Sequence, residues 1–314
     1  MNIFVAGATG ALGRPLVAQL VSNGHEVTGM TRSESKQDLL RGLGARPVVA
    51  DALDPDAVAR AVAEAEPDVI VHQLTAIGPF NPRRMERDFA ATNRLRTEGT
   101  DHLLAAGRAV GVKRFVAQSF APWPYARTGG MVKSEDDPLD TTPPAQVRTT
   151  LEAIKYLEGA VTGADWTEGI ALRYGGFYGP GTSVGLNPLG EQLEMIRARK
   201  LPLAGKGTAV YSFIHIEDAA AATVEAIEHG KRGVYNVVDD DPAPISEWLP
   251  ALAKALGAKP PRRVPLLLAR IAGGEAAAIM MSELRGASNT KAKRELGWQP
   301  RYPSWREGFA RGLG

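Results

Sequence analysis

Gly7, Gly10 and Gly13 stand three residues apart, directly after the short apolar run Ile3-Phe-Val-Ala6. The run reads as a buried strand, and an amphipathic helix follows over residues 11–21. A glycine-rich turn between a strand and a helix start suits the pyrophosphate of a dinucleotide. Glycine permits the tight turn and the close backbone approach. The helix end offers unpaired N–H groups and a partial positive charge. Other spacings carry less. Gly181-Thr-Ser183-Val-Gly185 has the letters of a nucleophile elbow, but it follows a Gly-Pro-Gly loop, and no Asp lies between Ser183 and His215. The five histidines are scattered and there is no cysteine, so no metal site, disulfide or thiol nucleophile is expected.

The elements that must position this turn alternate in type. Strands are expected at residues 26–30, 46–50, 68–72, 114–118 and 168–173, and helices at 54–65, 85–110 and 147–161. Such alternation predicts an α/β fold with a Rossmann-type, doubly wound parallel sheet. A ligand would sit beyond the C-terminal ends of its strands. Residues 174–207 are rich in Gly and Pro, a strand returns at 234–238, and a helix lies between Pro242 and Pro265. The expected organisation is a dinucleotide-binding domain from residues 1–173 plus 214–239. A smaller, mixed substrate lobe would come from 174–213 plus 240–314.

Composition excludes little else. Of 314 residues, 44% are hydrophobic and 23% charged, as in an ordinary globular protein. A net charge of +2 without a Lys/Arg stripe makes no case for nucleic acid or a membrane as partner. The longest apolar stretch, 264–281, is interrupted by Arg270, Gly273, Gly274 and Glu275 and reads as helix plus turn. No basic and apolar leader opens the chain, so a cytoplasmic protein is expected.

With these segments placed, the whole chain resembles the extended short-chain dehydrogenase/reductase superfamily, of the NAD-dependent epimerase/dehydratase type. The matching pieces are Gly7-Ala-Thr-Gly10-Ala-Leu-Gly13, Asp51-Ala-Leu-Asp54, Val71-His72-Gln-Leu-Thr75, Thr92-Asn93 and Glu98-Gly99-Thr100. Later come Leu172-Arg173-Tyr-Gly-Gly-Phe-Tyr178-Gly179-Pro180-Gly181, Phe213-Ile-His215-Ile-Glu-Asp218-Ala219, Val234-Tyr235-Asn236-Val237 and Glu295-Leu296-Gly297-Trp298. The resemblance implies that Gly7, Thr9, Gly10, Ala11, Leu12, Gly13 and Arg14 hold the cofactor phosphates. It implies Asp51 and Ala52 beside the adenine, Leu74, Thr75 and Ala76 along the cofactor path, and Asn93 under the active-site floor. Tyr178 to Gly181 would carry the chain into the substrate lobe. Trp123, Tyr178 and Arg263 are the substrate-binding candidates. The resemblance also implies a homodimer packed through the helices at 85–110 and 147–161.

Members that prefer NAD usually place an acidic residue near Thr31, where it bonds the ribose hydroxyls. Here Arg32 follows a neutral Thr31, and Arg14 follows the third glycine. A guanidinium offers a 2′-phosphate a fork of donors and a permanent charge. NADP(H) is therefore the expected cofactor, with NAD(H) as the alternative.

Members usually work through Tyr-x-x-x-Lys on a helix plus a Ser or Thr, the lysine lowering the tyrosine pKa for proton exchange. None of the seven tyrosines here has a lysine four residues later. Aligning Glu158 with a glutamate that often follows the pair puts Thr150 and Ile154 at its two positions. Aligning Lys155 puts Leu151 in place of the tyrosine. The remaining proton-handling candidates are Ser119, one position early, Tyr125 from another wall, and Lys155 as a displaced acid. Trp123 and Tyr125 could instead pack against substrate or lobe, and Lys155 could be a surface lysine. The reading is an atypical NADP(H)-dependent oxidoreductase that moves hydride to or from a small organic molecule. The alternatives are a nucleotide-sugar epimerase or dehydratase with retained NAD, and a non-catalytic cofactor-bound scaffold or sensor.

Overall fold

The structure, a computed structural model, describes residues 1–78 and 81–314. Side chains of its first strand, β1 (Asn2–Ala6), alternate between two cores. Ile3 and Val5 enter one core, and Phe4 and Ala6 enter the other. The strands that follow are β2 (Glu26–Thr31), β3 (Arg46–Val49), β4 (Val69–His72), β5 (Arg114–Phe120), β6 (Glu168–Tyr174) and β7 (Gly233–Val237). All seven pair in parallel, in the order β7-β6-β5-β4-β1-β2-β3. The order reverses between β1 and β4, so a crevice opens at their C-terminal ends.

Helices cover both faces. On one lie α1 (Gly13–Ser22) and, from later in the chain, Ile216–His229. On the other lie α2 (Pro55–Ala65), α3 (Thr100–Val110) and α4 (Ala145–Gly163). The Asp54 carboxylate caps α2 by accepting from the backbone N–H groups of Asp56 and Ala57. Labelled in chain order, Ile216–His229 is α5, followed by α6 (Ile245–Ala255), α7 (Leu266–Ser282), α8 (Thr290–Leu296) and α9 (Trp305–Arg311).

A third core, around Tyr178, Phe213, Trp248, Trp305 and Phe309, holds the second lobe together. The split at residue 240 does not separate the cores cleanly. Ala292, Leu296 and Trp298, expected in the second lobe, pack into the first core. The apolar side of α8 covers the sheet edge at β7 and α5. Helix α7 is interrupted at Gly274 (φ 75°). Among the described residues no helix is long and apolar enough to cross a membrane.

One expectation fails. The helix expected over 85–110 is broken into Met85–Asp88, Ala90–Arg94, a π-helical turn at Leu95–Gly99, and α3. A buried imidazole meets the chain at the π-helical turn. His72 Nδ1 accepts from the Leu74 N–H at 3.2 Å, so Nε2 carries the proton and donates to the Leu95 carbonyl at 3.2 Å. A side chain bonding a helix carbonyl from outside is one of the features that widen the ladder. The hydroxyls of Thr97 and Thr100 bond the Asn93 and Arg96 carbonyls at 3.1 and 2.8 Å.

Burial lowers the His72 pKa from 6.5 to about 4. Between those values the unfolded chain binds more protons than the fold, so stability falls as the pH falls through that window. The full difference is about 3 kcal/mol. Chemical denaturation across this pH range is expected to show a shallower loss for His72→Gln than for the parent protein. Parallel pH profiles would remove His72 as the cause.

Candidate cofactor and active site

The turn after β1 is closed by backbone contacts that leave no room for a side chain. Gly7 has φ +93°, and a Cβ there would lie 2.7 Å from the Gln73 carbonyl oxygen. A Cβ on Gly13 would lie 2.2 Å from the Gly7 carbonyl oxygen. The Gly10 N–H donates to Gly7 O at 3.0 Å. No side chain caps α1; the Arg14 N–H is taken by the Gly10 carbonyl at 3.2 Å and Pro15 has no N–H, so the N–H groups of Leu12 and Gly13 remain for an anion. Thr9, Ala11 and Leu12 complete the turn, with Gly10 exposed at its tip. This cradle fits a dinucleotide pyrophosphate.

Other cofactor candidates follow the C-terminal ends of β2, β3 and β4. Leu74, Thr75 and Ala76 are half-buried just past β4, and the Ala76 N–H donates to Thr92 Oγ1 at 3.0 Å. Asp51 is exposed and accepts from the Leu53 N–H, while Ala52 is buried. Arg32 is exposed at the end of β2. Arg14 reaches back to the Gly10 carbonyl at 3.4 Å. Its Nη2 lies 2.5 Å from where a Cβ on Gly181 would stand. The glycine at 181 thus makes room for Arg14, and the phosphate turn leans on the loop that enters the second lobe.

At the floor, Asn93 Nδ2 donates to Thr150 Oγ1 at 3.2 Å, with both residues buried. Ile154, one turn along α4, is 1% exposed. Two turns beyond Thr150 sits Glu158, the centre of a buried polar chain. Ser119 Oγ donates to Glu158 Oε1 at 2.6 Å. Arg173 grips both carboxylate oxygens, Nε at 2.7 Å and Nη2 at 2.6 Å. Arg173 Nη1 also donates to Tyr125 Oη at 2.9 Å, and Tyr125 donates to Asn236 Oδ1 at 2.6 Å. Burial pushes the Tyr125 phenol up to about 12, although Arg173 pulls the other way. Arg96, on the π-helical turn, is 4% exposed with no bonded partner at Nη1. Burial lowers its pKa to about 10, and the nearby Glu158 charge partly offsets this.

This geometry corrects the expected proton donors. Period-two alternation puts Ser119 on the face of Phe115 and Ala117, under α4, where Glu158 takes its hydroxyl. Tyr125 is 3% exposed and spends its proton on Asn236. Lys155 is exposed and donates to the Asp140 carbonyl at 3.0 Å. None of the three presents a proton to the floor.

The substrate candidates are also redistributed. Tyr178 is 0% exposed inside the third core, with its ring edge-on to Phe213 and Phe309. It cannot touch a substrate there. Arg263 is exposed on a two-residue strand paired with Leu203. Trp123 alone of the three is half-buried in an apolar cluster, with Met85, Phe89, Val147 and Ala276. No group of three or more His, Asp or Glu among the described residues could hold a metal ion.

Glu158, Arg173 and Asn236 give no sequence signal of their meeting. The Glu158–Arg173 contact joins residues 15 apart and the Tyr125–Asn236 contact residues 111 apart. A lone buried arginine such as Arg96 has no periodic signature at all.

Comparison with known proteins gives a consistent family pattern. A family model described as NAD dependent epimerase/dehydratase family matches residues 3–238. A 3-diazoavenalumate denitrifying reductase from a Streptomyces species is 44% identical, covering 99% of this chain and 100% of that protein. A UDP-glucose 4-epimerase of Corynebacterium glutamicum is 28% identical, covering 98% of this chain and 93% of that one. Among solved structures, a UDP-glucose 4-epimerase from Thermotoga maritima with UDP-glucose superposes with a TM-score of 0.78 at 22% identity, covering 100% and 97% of the two chains.

Removing the central carboxylate tests the buried chain. Glu158→Gln leaves the Arg173 and Arg96 charges without their buried counter-ion, and a loss of about 3–5 kcal/mol of stability is expected. Chemical denaturation measures it, and a change under 1 kcal/mol would mean that the pair is solvated.

Proposed function

Starting from a chain that belongs to the NAD-dependent epimerase/dehydratase family, we propose an NADP(H)-dependent reductase that acts on an arenediazonium and needs no proton donor. The enzyme class, NAD(P)-dependent oxidoreductase or epimerase-like, follows from the family and its named relatives. One observation carries the finer reading: the three proton-handling candidates, Ser119, Tyr125 and Lys155, are each bonded elsewhere, and the sequence holds no Tyr-x-x-x-Lys pair.

Reduction of a ketone needs a proton at oxygen, and epimerisation of a sugar alcohol needs a proton removed and returned. Loss of a diazonium group needs neither. The cation ArN2+ plus a hydride gives ArH and N2: the hydride pair forms the C–H bond, and the C–N pair leaves with dinitrogen. The 44% identity to a protein named as a denitrifying reductase of a diazo compound supports this substrate class.

A bound nicotinamide supplies the hydride; the protein's part is orientation and exclusion of water. The glycine turn and the uncapped end of α1 hold the pyrophosphate. Arg32 answers a 2′-phosphate, with Arg14 on the glycine turn as the second candidate. Asn93 and Thr150 make a neutral, fixed floor. Trp123, half-buried on a core of Met85, Phe89, Val147 and Ala276, offers an aromatic face suited to an aromatic ring.

Fluorescence titration is expected to show tighter binding of NADPH than NADH, with Arg32→Ala erasing most of the difference. Equal affinities in the parent protein would reject the NADP(H) preference. With NADPH deuterated at the transferring carbon and an arenediazonium salt, deuterium is expected on the arene carbon, with one N2 per NADPH consumed. The rate should stay level from about pH 6 to 8, because no acid titrates in the step. Turnover confined to ketones or nucleotide sugars, or a rate that falls with rising pH, would overturn the reading.

A further inference from the structure

Between Glu247 and Glu275 the chain carries no acidic residue and five basic ones, Lys254, Lys259, Arg262, Arg263 and Arg270. All five are exposed. The fold sets three of them around the first half of α7, from Leu266 to the break at Gly274. On that half-helix Leu267 is 62% exposed, Leu268 50% and Ile271 57%. Residues 267 and 271, four apart, lie one above the other, with 268 beside them. Every exposed residue from 262 to 272 is therefore either an arginine or apolar, with Pro265 and Ala272 extending the apolar ridge.

The ridge is held from beneath. Leu266 packs against the turn at Gly205, Gly273 is buried against Pro82, and Arg83 donates to the Ile271 carbonyl. Only Arg270 of the five cations has an ion-pair partner among the described residues, Glu275 at 2.8 Å. Three large aliphatic side chains thus stand in water on a fixed support, beside Arg262 and Arg263, which have no ion-pair partner among the described residues.

We propose that this ridge docks the protein on an anionic lipid surface. Leucine and isoleucine enter the boundary between headgroups and acyl chains, while arginines flanking them meet the phosphates. A second copy of the chain fits poorly, since a two-fold contact would bring the same arginines together. A protein partner fits less well than lipid, because the ridge has no aromatic anchor. This inference is independent of the reaction proposed above.

Co-sedimentation of the purified protein with vesicles tests it. Vesicles of equal parts phosphatidylcholine and phosphatidylglycerol should bind at low salt, and phosphatidylcholine alone should not. Binding should weaken as salt rises. Leu267→Glu/Leu268→Glu should abolish it, and Arg262→Glu/Arg263→Glu should weaken it roughly tenfold or more. These are surface substitutions, and an unchanged circular dichroism melt confirms that the fold is kept. No binding to anionic vesicles at low salt would overturn the proposal, as would equal binding by Leu267→Glu/Leu268→Glu. Self-association that the same variant abolishes, seen by light scattering with no vesicle binding, would give the ridge to a second copy.

Discussion

The ion pair between Glu158 and Arg173 is the contact on which the rest of the site depends. Both side chains are nearly buried, and the guanidinium meets the carboxylate with two parallel bonds. Burial makes each charge costly alone, so each demands its partner in one geometry. Through that geometry α4 is locked over β5 and β6, and the Ser119 hydroxyl is turned inward. Tyr125 is pulled into the same chain, and through Asn236 so is the end of β7. The floor made by Asn93 and Thr150 inherits its position from this anchor two turns away on α4.

The same contact explains why the site is poor in acids. A hydroxyl bonded at 2.6 Å to a buried carboxylate, and a phenol whose pKa burial has raised, are structural groups rather than proton carriers. The chain keeps the apparatus that binds a dinucleotide and lacks the pair that usually moves a proton beside it. The proposed hydride-only chemistry rests on this combination.

His72 imposes a second constraint. Its ring is satisfied on both nitrogens, by the Leu74 N–H and the Leu95 carbonyl, and that second bond meets the following helix at its π turn. The turn in turn sets Arg96 inward, facing Glu158. A sheet residue thereby meets the helix packed over the sheet at the turn that carries Arg96.

The sequence by itself determined the doubly wound sheet, the glycine turn and the absence of the tyrosine–lysine pair. Each of these is written locally. Strands and helices announce themselves by alternation and period, a phosphate turn by glycines at fixed spacing, and a missing pair by inspection of seven tyrosines. Only the tertiary structure decided which way the polar side chains face. Ser119 and Tyr125 read as free hydroxyls because nothing nearby in sequence takes their protons; the groups that do are 39 and 111 residues away. Tyr178 reads as pocket or core, with core the better reading, until Phe213 and Phe309 close on it. The break at residues 95–99 is invisible for the same reason, since the imidazole that bonds it lies 23 residues earlier, at the end of a strand. Local spacing encodes backbone conformation, whereas burial and hydrogen-bond partnership depend on contacts that exist only once the chain has folded.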